Sequence, residues 1–370
     1  MAVLSVLSTS PPLKARLILE EGSVFEGISF GYPISRAGEV VFNTGMVGYP
    51  EALTDPSYFG QILVLTYPLI GNYGVPADRQ QNGILQHFES RRIQVQGLIV
   101  ASDSEEFSHW SSYRSLRRWL QAQKVPALSG VDTRTLTRKL REKGTMLGKI
   151  EFPNQPITFY DPDQENLVRK VSIRRVRTYG NGQFKIVLLD CGCKENILRS
   201  LLAHDVQVLR VPWDYDLRRL DFDGLVVSNG PGNPKMCRKT ILQIRRVMEQ
   251  NRPMLGICLG HQLMALAAGA NTFKLKYGHR GQNQPVQEKG NHRCFITSQN
   301  HGFAVDIRTL PDDWDTWFIN LNDGTNEGMR HRERPFISVQ FHPEASPGPV
   351  DTRFVFNAFM EIVQEERRHR

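Results

Sequence analysis

Apolar and polar positions alternate with a period of two in Ala15-Arg-Leu-Ile-Leu-Glu20 and Ser23-Val-Phe-Glu-Gly-Ile-Ser-Phe30, near the start of the chain. Strand side chains point alternately to two faces, so the pattern predicts half-buried strands, with Glu20-Glu21-Gly22 as the hairpin turn between them. Residues 62–66 and 96–101 are short continuous apolar runs that predict buried strands. Residues 115–123 and 132–142 repeat apolar positions every three or four and predict helices, the second capped by Asp132. Residues 1–150 therefore read as a mixed α+β domain. Residues 151–183 are rich in Pro, Asp, Asn and Arg without sustained periodicity and read as a connecting segment.

From Phe184 the texture becomes regular. Apolar runs at 185–190, 206–211, 224–228 and 252–256 alternate with helical patterns at 195–204 and 239–250. Successive βα units imply a parallel sheet covered by helices on both faces, so residues 184–370 are expected to form a three-layer α/β domain. A helix is predicted from His261 to Ala268, shorter strands and loops after Asn271, a strand ending at Phe341, and a closing amphipathic helix over 352–367.

Composition narrows the class. With 370 residues, 40% hydrophobic and 23% charged, the chain can bury two sizeable cores. No run approaches the roughly 20 apolar residues of a membrane-spanning helix, and residues 1–12 lack the basic start of an export signal, so a cytoplasmic protein without membrane contact is expected. Five cysteines, with no CxxC pair, predict reduced thiols and neither a disulfide framework nor zinc. The net charge of +8 is dispersed among acidic residues with no recognition-helix motif, which argues against nucleic acid; an acidic protein partner accounts for the excess equally well. No P-loop or kinase-type glycine motif is present, so no nucleotide cofactor is expected in this chain.

The chemistry-bearing residues fall at predicted strand ends, where α/β proteins place their sites. Gly256-Ile257-Cys258-Leu259-Gly260 follows the apolar Met254-Leu255, and His342-Pro343-Glu344 follows Phe336-Ile-Ser-Val-Gln-Phe341. A thiolate attacks acyl carbon well, but a free thiol at neutral pH needs a base or a helix N-terminus. His342 offers the base, Glu344 an orienter for the imidazole, and the helix beginning beside Cys258 offers its N–H groups. Gly256 and Gly260 permit the sharp strand-to-helix turn of a nucleophile elbow. A lone G-x-C-x-G also arises from close packing of a buried cysteine; the set of three points to acyl transfer through a thioester. In an extended strand His342 and Glu344 would share a face, although a turn at Pro343 alters that. Gly230 and Gly232 follow the strand at 224–228, and one of their amides, with the Leu259 N–H, would form an oxyanion hole; an ordinary strand-to-helix turn is the competing reading. His261, His279 and His301 have no acidic cluster beside them and are expected to be structural, with no metal site.

These tracts resemble a known family. Gly256 to Gln262, Ser228-Asn-Gly-Pro-Gly-Asn-Pro234, Thr297-Ser-Gln-Asn-His-Gly-Phe303 and Phe341-His-Pro-Glu-Ala-Ser-Pro-Gly-Pro349 resemble class I glutamine amidotransferases. Tyr277-Gly-His-Arg-Gly281, Phe42-Asn-Thr-Gly-Met46 and Leu53-Thr-Asp-Pro-Ser-Tyr58 look like the small, glutamine-hydrolysing subunits of carbamoyl phosphate synthetases. The resemblance implies glutamine hydrolysis by Cys258, His342 and Glu344, with Gly45, Gly230, Gly232, Leu259, Gln262, Asn300, Gly302 and Phe303 around the substrate. It also implies docking of the first domain on a large synthetase subunit that binds ATP, Mg and bicarbonate, as a heterodimer or a larger assembly serving arginine or pyrimidine synthesis. Two positions depart from the pattern: Gly45, where many members carry serine, leaves only backbone contact, and Cys191 stands where an aromatic residue is usual. The rivals are the ammonia-producing subunit of another synthase and a catalytically silent regulatory subunit.

Overall fold

A computed structural model describes residues 12–369 of the chain. The expectation about an export leader concerns residues 1–12, all but the last of which lie outside the described residues. No helix among the described residues is long and apolar enough to cross a membrane.

The two alternating stretches at the start form β1 (Lys14–Leu19) and β2 (Val24–Ser29), paired antiparallel around Glu20-Glu21-Gly22. With β3 (Arg36–Asn43), β4 (Gln61–Leu65), β5 (Gly97–Ile99), β6 (Ala127–Ser129) and β7 (Met146–Glu151) they close a barrel in the order β1-β7-β3-β4-β5-β6-β2. Period-two alternation sends Val40, Ile62 and Val64 to one face of the wall, with Leu136 and Leu140 of helix α3 (Thr133–Lys143). Val41, Leu63 and Leu65 go to the other face, against Trp119 and Leu120 of α2 (Leu116–Ala122). Each such fully buried side chain contributes roughly 1.5–3 kcal/mol, which is what holds both helices down. Ser115 and Asp132 cap them, accepting from the backbone N–H groups of Arg118 (3.3 Å) and Thr135 (2.9 Å). Helix α1 (Tyr49–Thr54) follows β3 and packs Tyr49, Ala52 and Leu53 into the Trp119 cluster.

The segment read as a connection carries one helical turn, Val168–Val171, and a strand, β8 (Arg177–Tyr179), on the edge of the second domain's sheet. A three-residue strand is too short for periodicity to reveal. That sheet has ten strands in the order β8-β10-β9-β11-β12-β17-β16-β15-β13-β14. Its parallel centre is β10 (Val206–Pro212), β9 (Phe184–Asp190), β11 (Gly224–Val227), β12 (Met254–Ile257) and β17 (Phe336–Val339). Helices α4 (Glu195–Leu201) and α7 (Phe354–Arg368) contribute Ile197, Leu198, Phe356 and Phe359 to the core on one face. Helices α5 (Arg238–Glu249) and α6 (Leu259–Ala268) cover the other through Ile244, Val247, Leu263 and Met264. This is the expected three-layer arrangement.

One region departs from its reading. Instead of short strands after Asn271, β13 (Asn271–Glu288) and β14 (Cys294–Asp306) make a long antiparallel arm, continued by β15 (Trp314–Asn320) and β16 (Asn326–His331). The β13–β14 register slips between Lys274 and His279 and again between Gly281 and Gln284. Each slip breaks the alternation from which strand length is read.

Candidate active site

Strand β12 ends at Ile257 and helix α6 starts at Leu259, so Cys258 alone makes the corner. Its backbone sits at φ 54° and ψ −104°, a region where a residue with a Cβ is strained. A Cβ on Gly256 would come within 2.6 Å of Met264 Sδ, and one on Gly260 within 2.1 Å of the Val227 carbonyl oxygen. Both glycines are thus steric requirements of the elbow. Cys258 is 1% exposed, yet it lines a cleft, and its thiol donates to the Asn300 carbonyl (3.7 Å).

His342 and Glu344 lie beyond the end of β17 in a turn at Pro343, where the backbone N–H of Ala345 donates to the His342 carbonyl (3.0 Å). The turn brings His342 Nδ1 to 2.7 Å from Glu344 Oε1, both side chains buried. A carboxylate there fixes the proton on Nδ1 and leaves Nε2 free; Nε2 has no hydrogen-bond partner, and the Cys258 sulfur is beside it. Burial opposes charge on the ring, but Glu344 and the sulfur outweigh it and raise His342 to about 10. Burial likewise opposes ionisation of Glu344, whereas Lys194 and His342 hold it at about 2. Lys194, at the start of α4, lies 3.1 Å from Glu344 Oε1 and also donates to the Ala345 carbonyl. Burial works against its charge, but Glu344, Glu89 and Asp55 keep it well above the ordinary lysine value.

The cleft lies between the domains and is lined by Cys258, Leu259, Gly230, Gly232, Gln262, Asn300, Gly302 and Phe303, together with Glu39, Ser57, Asp163, Lys274 and Arg280. Leu259 is the first residue of α6, where a backbone N–H has no intrahelical acceptor. The Gly230 and Gly232 N–H groups make no hydrogen bond among the described residues. A Cβ on Gly230 would lie 2.0 Å from the Cys191 carbonyl oxygen, so this loop can approach only as glycine. Gln262 Nε2 donates to the Phe303 carbonyl (2.8 Å) and to Gln340 Oε1 (3.0 Å). Gly45 stands apart from these. It lines an adjoining depression with Met46, Val47 and Gln282, and its N–H donates to Asn43 Oδ1 (2.6 Å).

The barrel contributes residues that carried no chemical signal in the sequence. Asp55, 6% exposed, accepts from Asn300 Nδ2 (2.9 Å) and Asn229 Nδ2 (3.4 Å), and Ser57 Oγ accepts from Asn229 Nδ2 (2.9 Å). One carboxylate thus ties down both walls beside Cys258. Asp55 and Ser57 lie in the Leu53 to Tyr58 tract, and family resemblance was their only signal. Farther out, Glu39 meets Lys274 at 2.7 Å, and Glu89 meets Arg199 at 2.7 Å.

Two of the three other histidines differ from their reading in one respect. His279 and His301 do have acidic neighbours: Asp323 Oδ2 lies 2.8 Å from His279 Nε2, and Glu327 lies on its other side. Ligand atoms of His279, His301 and Glu327 fall within 4.8 Å of one another. Glu327 is already engaged by Asn320 Nδ2 (3.0 Å) and Gln299 Nε2 (2.9 Å), so the group forms a hydrogen-bonded network of protein groups. Asp323 joins it from the β15–β16 turn and Glu327 from β16, both distant in sequence.

Comparison with known proteins follows the two-domain division. Residues 187–362 match the family described as Glutamine amidotransferase class-I, and residues 17–150 match Carbamoyl-phosphate synthase small chain, CPSase domain. The carbamoyl phosphate synthase arginine-specific small chain of Aspergillus clavatus is 49% identical over 366 residues, which cover 96% of this chain and 80% of that one. The chain belongs to the carbamoyl-phosphate synthase small-chain family. Similar proteins include the carbamoyl-phosphate synthase [ammonia], mitochondrial, of Homo sapiens, 48% identical over 95% of this chain, and the multifunctional protein CAD of Squalus acanthias, 50% identical over 95%. This small chain spans only 24% of the human protein's length and 16% of the Squalus protein's. The amidotransferase match contains Cys258, His342 and Glu344, and the small-chain match contains Asp55 and Ser57.

Proposed function

We propose that this small chain hydrolyses L-glutamine to glutamate and ammonia, and that the ammonia serves carbamoyl phosphate synthesis on a large synthetase subunit. The observation that carries the reading is the buried His342–Glu344 pair, 2.7 Å apart, with its free Nε2 beside a cysteine held on a strained elbow. The Cys258 thiolate attacks the side-chain amide carbon, and the oxygen takes up negative charge facing the Leu259 and Gly230 N–H groups. The imidazolium of His342, kept charged by Glu344, gives its Nε2 proton to the amide nitrogen, and ammonia leaves. Water then attacks the glutamyl thioester while His342 takes one of its protons. The thiolate departs with glutamate as product. Gln262, Asn300, Gly302 and Phe303 would hold the amino-acid end, and Gly45 would reach it only through its backbone.

Ammonia in neutral water is protonated and loses its nucleophilicity, so an enclosed route to the partner is required on physical grounds. The partner would bind ATP, Mg and bicarbonate, and the barrel, outside the amidotransferase match, is the docking element. The five cysteines, none of them in a disulfide, support a reducing compartment, the cytoplasm.

The test compares glutamine hydrolysis by the unchanged chain and by Cys258→Ala, each with the large subunit present. Release of ammonia by the first and not by the second is the expected result. Equal background rates in both would favour a silent regulatory subunit. Glutamine hydrolysis that supports a different ATP-dependent amination, with no carbamoyl phosphate formed, would favour another synthase.

A further inference from the structure

The turn that carries Glu344 is gripped from outside by the start of one helix. Lys194, just before α4, lies 3.1 Å from Glu344 Oε1 and donates to the Ala345 carbonyl, and Asn196 Nδ2 donates to the Glu344 carbonyl. Whatever places this helix start therefore decides where the Glu344 carboxylate meets His342.

Glu89 of the first domain does so. It is 0% exposed and lies in the stretch that leads to β5, 107 positions before Asn196. Its Oε2 accepts from the Asn196 backbone N–H (3.0 Å), its carbonyl from the Glu195 N–H (3.0 Å), and its Oε1 from Arg199 Nη2 (2.7 Å). Arg199 Nε donates in turn to Asn196 Oδ1 (2.8 Å). This closes a ring of Glu89, Arg199 and Asn196 and leaves the other end of the Asn196 amide, Nδ2, for the Glu344 carbonyl. Both oxygens of Glu89 face donors, an arrangement that the ionised carboxyl completes. Burial raises it above the usual carboxylate range even so, against the pull of Lys194 and Arg199.

The same residue roots the barrel's other grip. The Glu89 N–H donates to Thr54 Oγ1 (3.0 Å), and Ser90 Oγ donates to the Thr54 carbonyl (2.6 Å). Thr54 is followed by Asp55, which holds Asn300 and Asn229. Asn229 Oδ1 accepts from the Lys194 N–H (3.0 Å), so the cleft wall and the turn at Glu344 hang on one knot in the first domain.

We propose that Glu89 is a positioning residue for the triad: by fixing the first turn of α4 it sets Glu344 against His342, acting through Lys194 and Asn196. This rests on the reading of the chain as a glutaminase. A displaced Glu89 would be felt in the carboxylate–imidazole pair, and so in proton transfer to the leaving nitrogen rather than in the hold on the substrate.

The experiment compares the unchanged chain, Glu89→Gln, Arg199→Met and the double variant, each assembled with the large subunit. It reads kcat and KM for glutamine as a function of pH, and the rate at which iodoacetamide alkylates Cys258, followed on its own peptide by mass spectrometry. Glu89→Gln keeps the size of the side chain but turns an NH₂ group toward a donor, so one of the two side-chain contacts is lost. It should lower kcat on the order of 10- to 100-fold, the loss expected for charge-assisted hydrogen bonds, with KM within about twofold. The alkaline limb of kcat, where the His342 imidazolium is lost, should move down from about 10, because Glu344 holds the ring less well. Alkylation of Cys258 at neutral pH should slow in step. Arg199→Met should act in the same direction to a lesser degree, and the double variant should lose no more than Glu89→Gln, as two parts of one ring. An unchanged kcat in the folded Glu89→Gln enzyme, an alkaline limb that stays in place, or a KM that rises as kcat falls would overturn the assignment. Slower alkylation of Cys258 in a chain that never hydrolyses glutamine would refute the glutaminase reading alone. Where Glu89→Gln does not fold, Arg199→Met decides by the same readouts.

Discussion

The two domains meet at one cleft with unlike contributions. The C-terminal sheet supplies the groups able to react, Cys258, His342 and the free backbone amides, each placed by a local turn at a strand end. The barrel supplies carboxylates that hold those groups from outside: Asp55 on Asn300 and Asn229, Glu39 on Lys274, and Glu89 on Arg199. One side is fixed by steric strain within a few residues, the other by charge and hydrogen bonding across a domain boundary. The first arrangement is rigid by construction. The second would change if the barrel shifted against the sheet, so a partner docked on the barrel would have a direct mechanical path to the cleft.

The sharpest way to break this comparison is to remove the reactive atom from the sheet side. Cys258→Ser should lower glutamine turnover by on the order of 10⁴-fold or more, since a hydroxyl is a far weaker nucleophile under the same base. Calorimetry should still detect glutamine binding. Normal turnover would mean that the chemistry lies elsewhere. Next in size is the elbow. Gly260→Ala places a Cβ against the Val227 and Ser228 carbonyl oxygens, and neither backbone oxygen can yield. The variant should lose about 1–3 kcal/mol or more of stability and most of its activity, read by thermal unfolding and initial rates. A fully active, fully stable variant would show that the elbow is not strained.

The barrel's role is tested by Asp55→Ala, which leaves the buried Asn300 amide without its acceptor and Asn229 with Ser57 Oγ alone. We expect a KM for glutamine raised about tenfold and a smaller change in kcat, as a loss of about 1–3 kcal/mol implies. A fall in kcat alone would place Asp55 with the chemistry and erase the contrast between the domains. The smallest effect concerns pH. Burial opposes charge on His279, but Asp323 and Glu327 raise it from 6.5 to about 9. A raised folded-state value means that its contribution is complete below about 6.5 and is lost as pH rises through about 9. Denaturant unfolding of the unchanged chain should weaken over that window more than unfolding of His279→Gln; parallel curves would remove His279 from the stability balance.

Several elements were legible because their information is local. Ser115 and Asp132 cap the helices they were expected to cap, and the strands at 185–190 and 206–211 stand within a residue of the observed β9 and β10. Cys258 could be read because its elbow needs glycine two positions to either side, a requirement written in five consecutive residues. The arm of β13 and β14 could not be read, since two register slips interrupt its alternation. Nor could the partners of His342 and Glu344 beyond each other: Lys194 reaches the carbonyl of Ala345 across 151 positions.

The sequence by itself determined the strands and helices of the parallel centre and the corner at Cys258, because period, caps and steric limits act over a few residues. Only the tertiary structure decided that Asp55 would hold Asn300 from 245 positions away and that Lys194 would face Glu344. A charge acts on whatever packing brings near it, and no local pattern encodes which distant surface that will be.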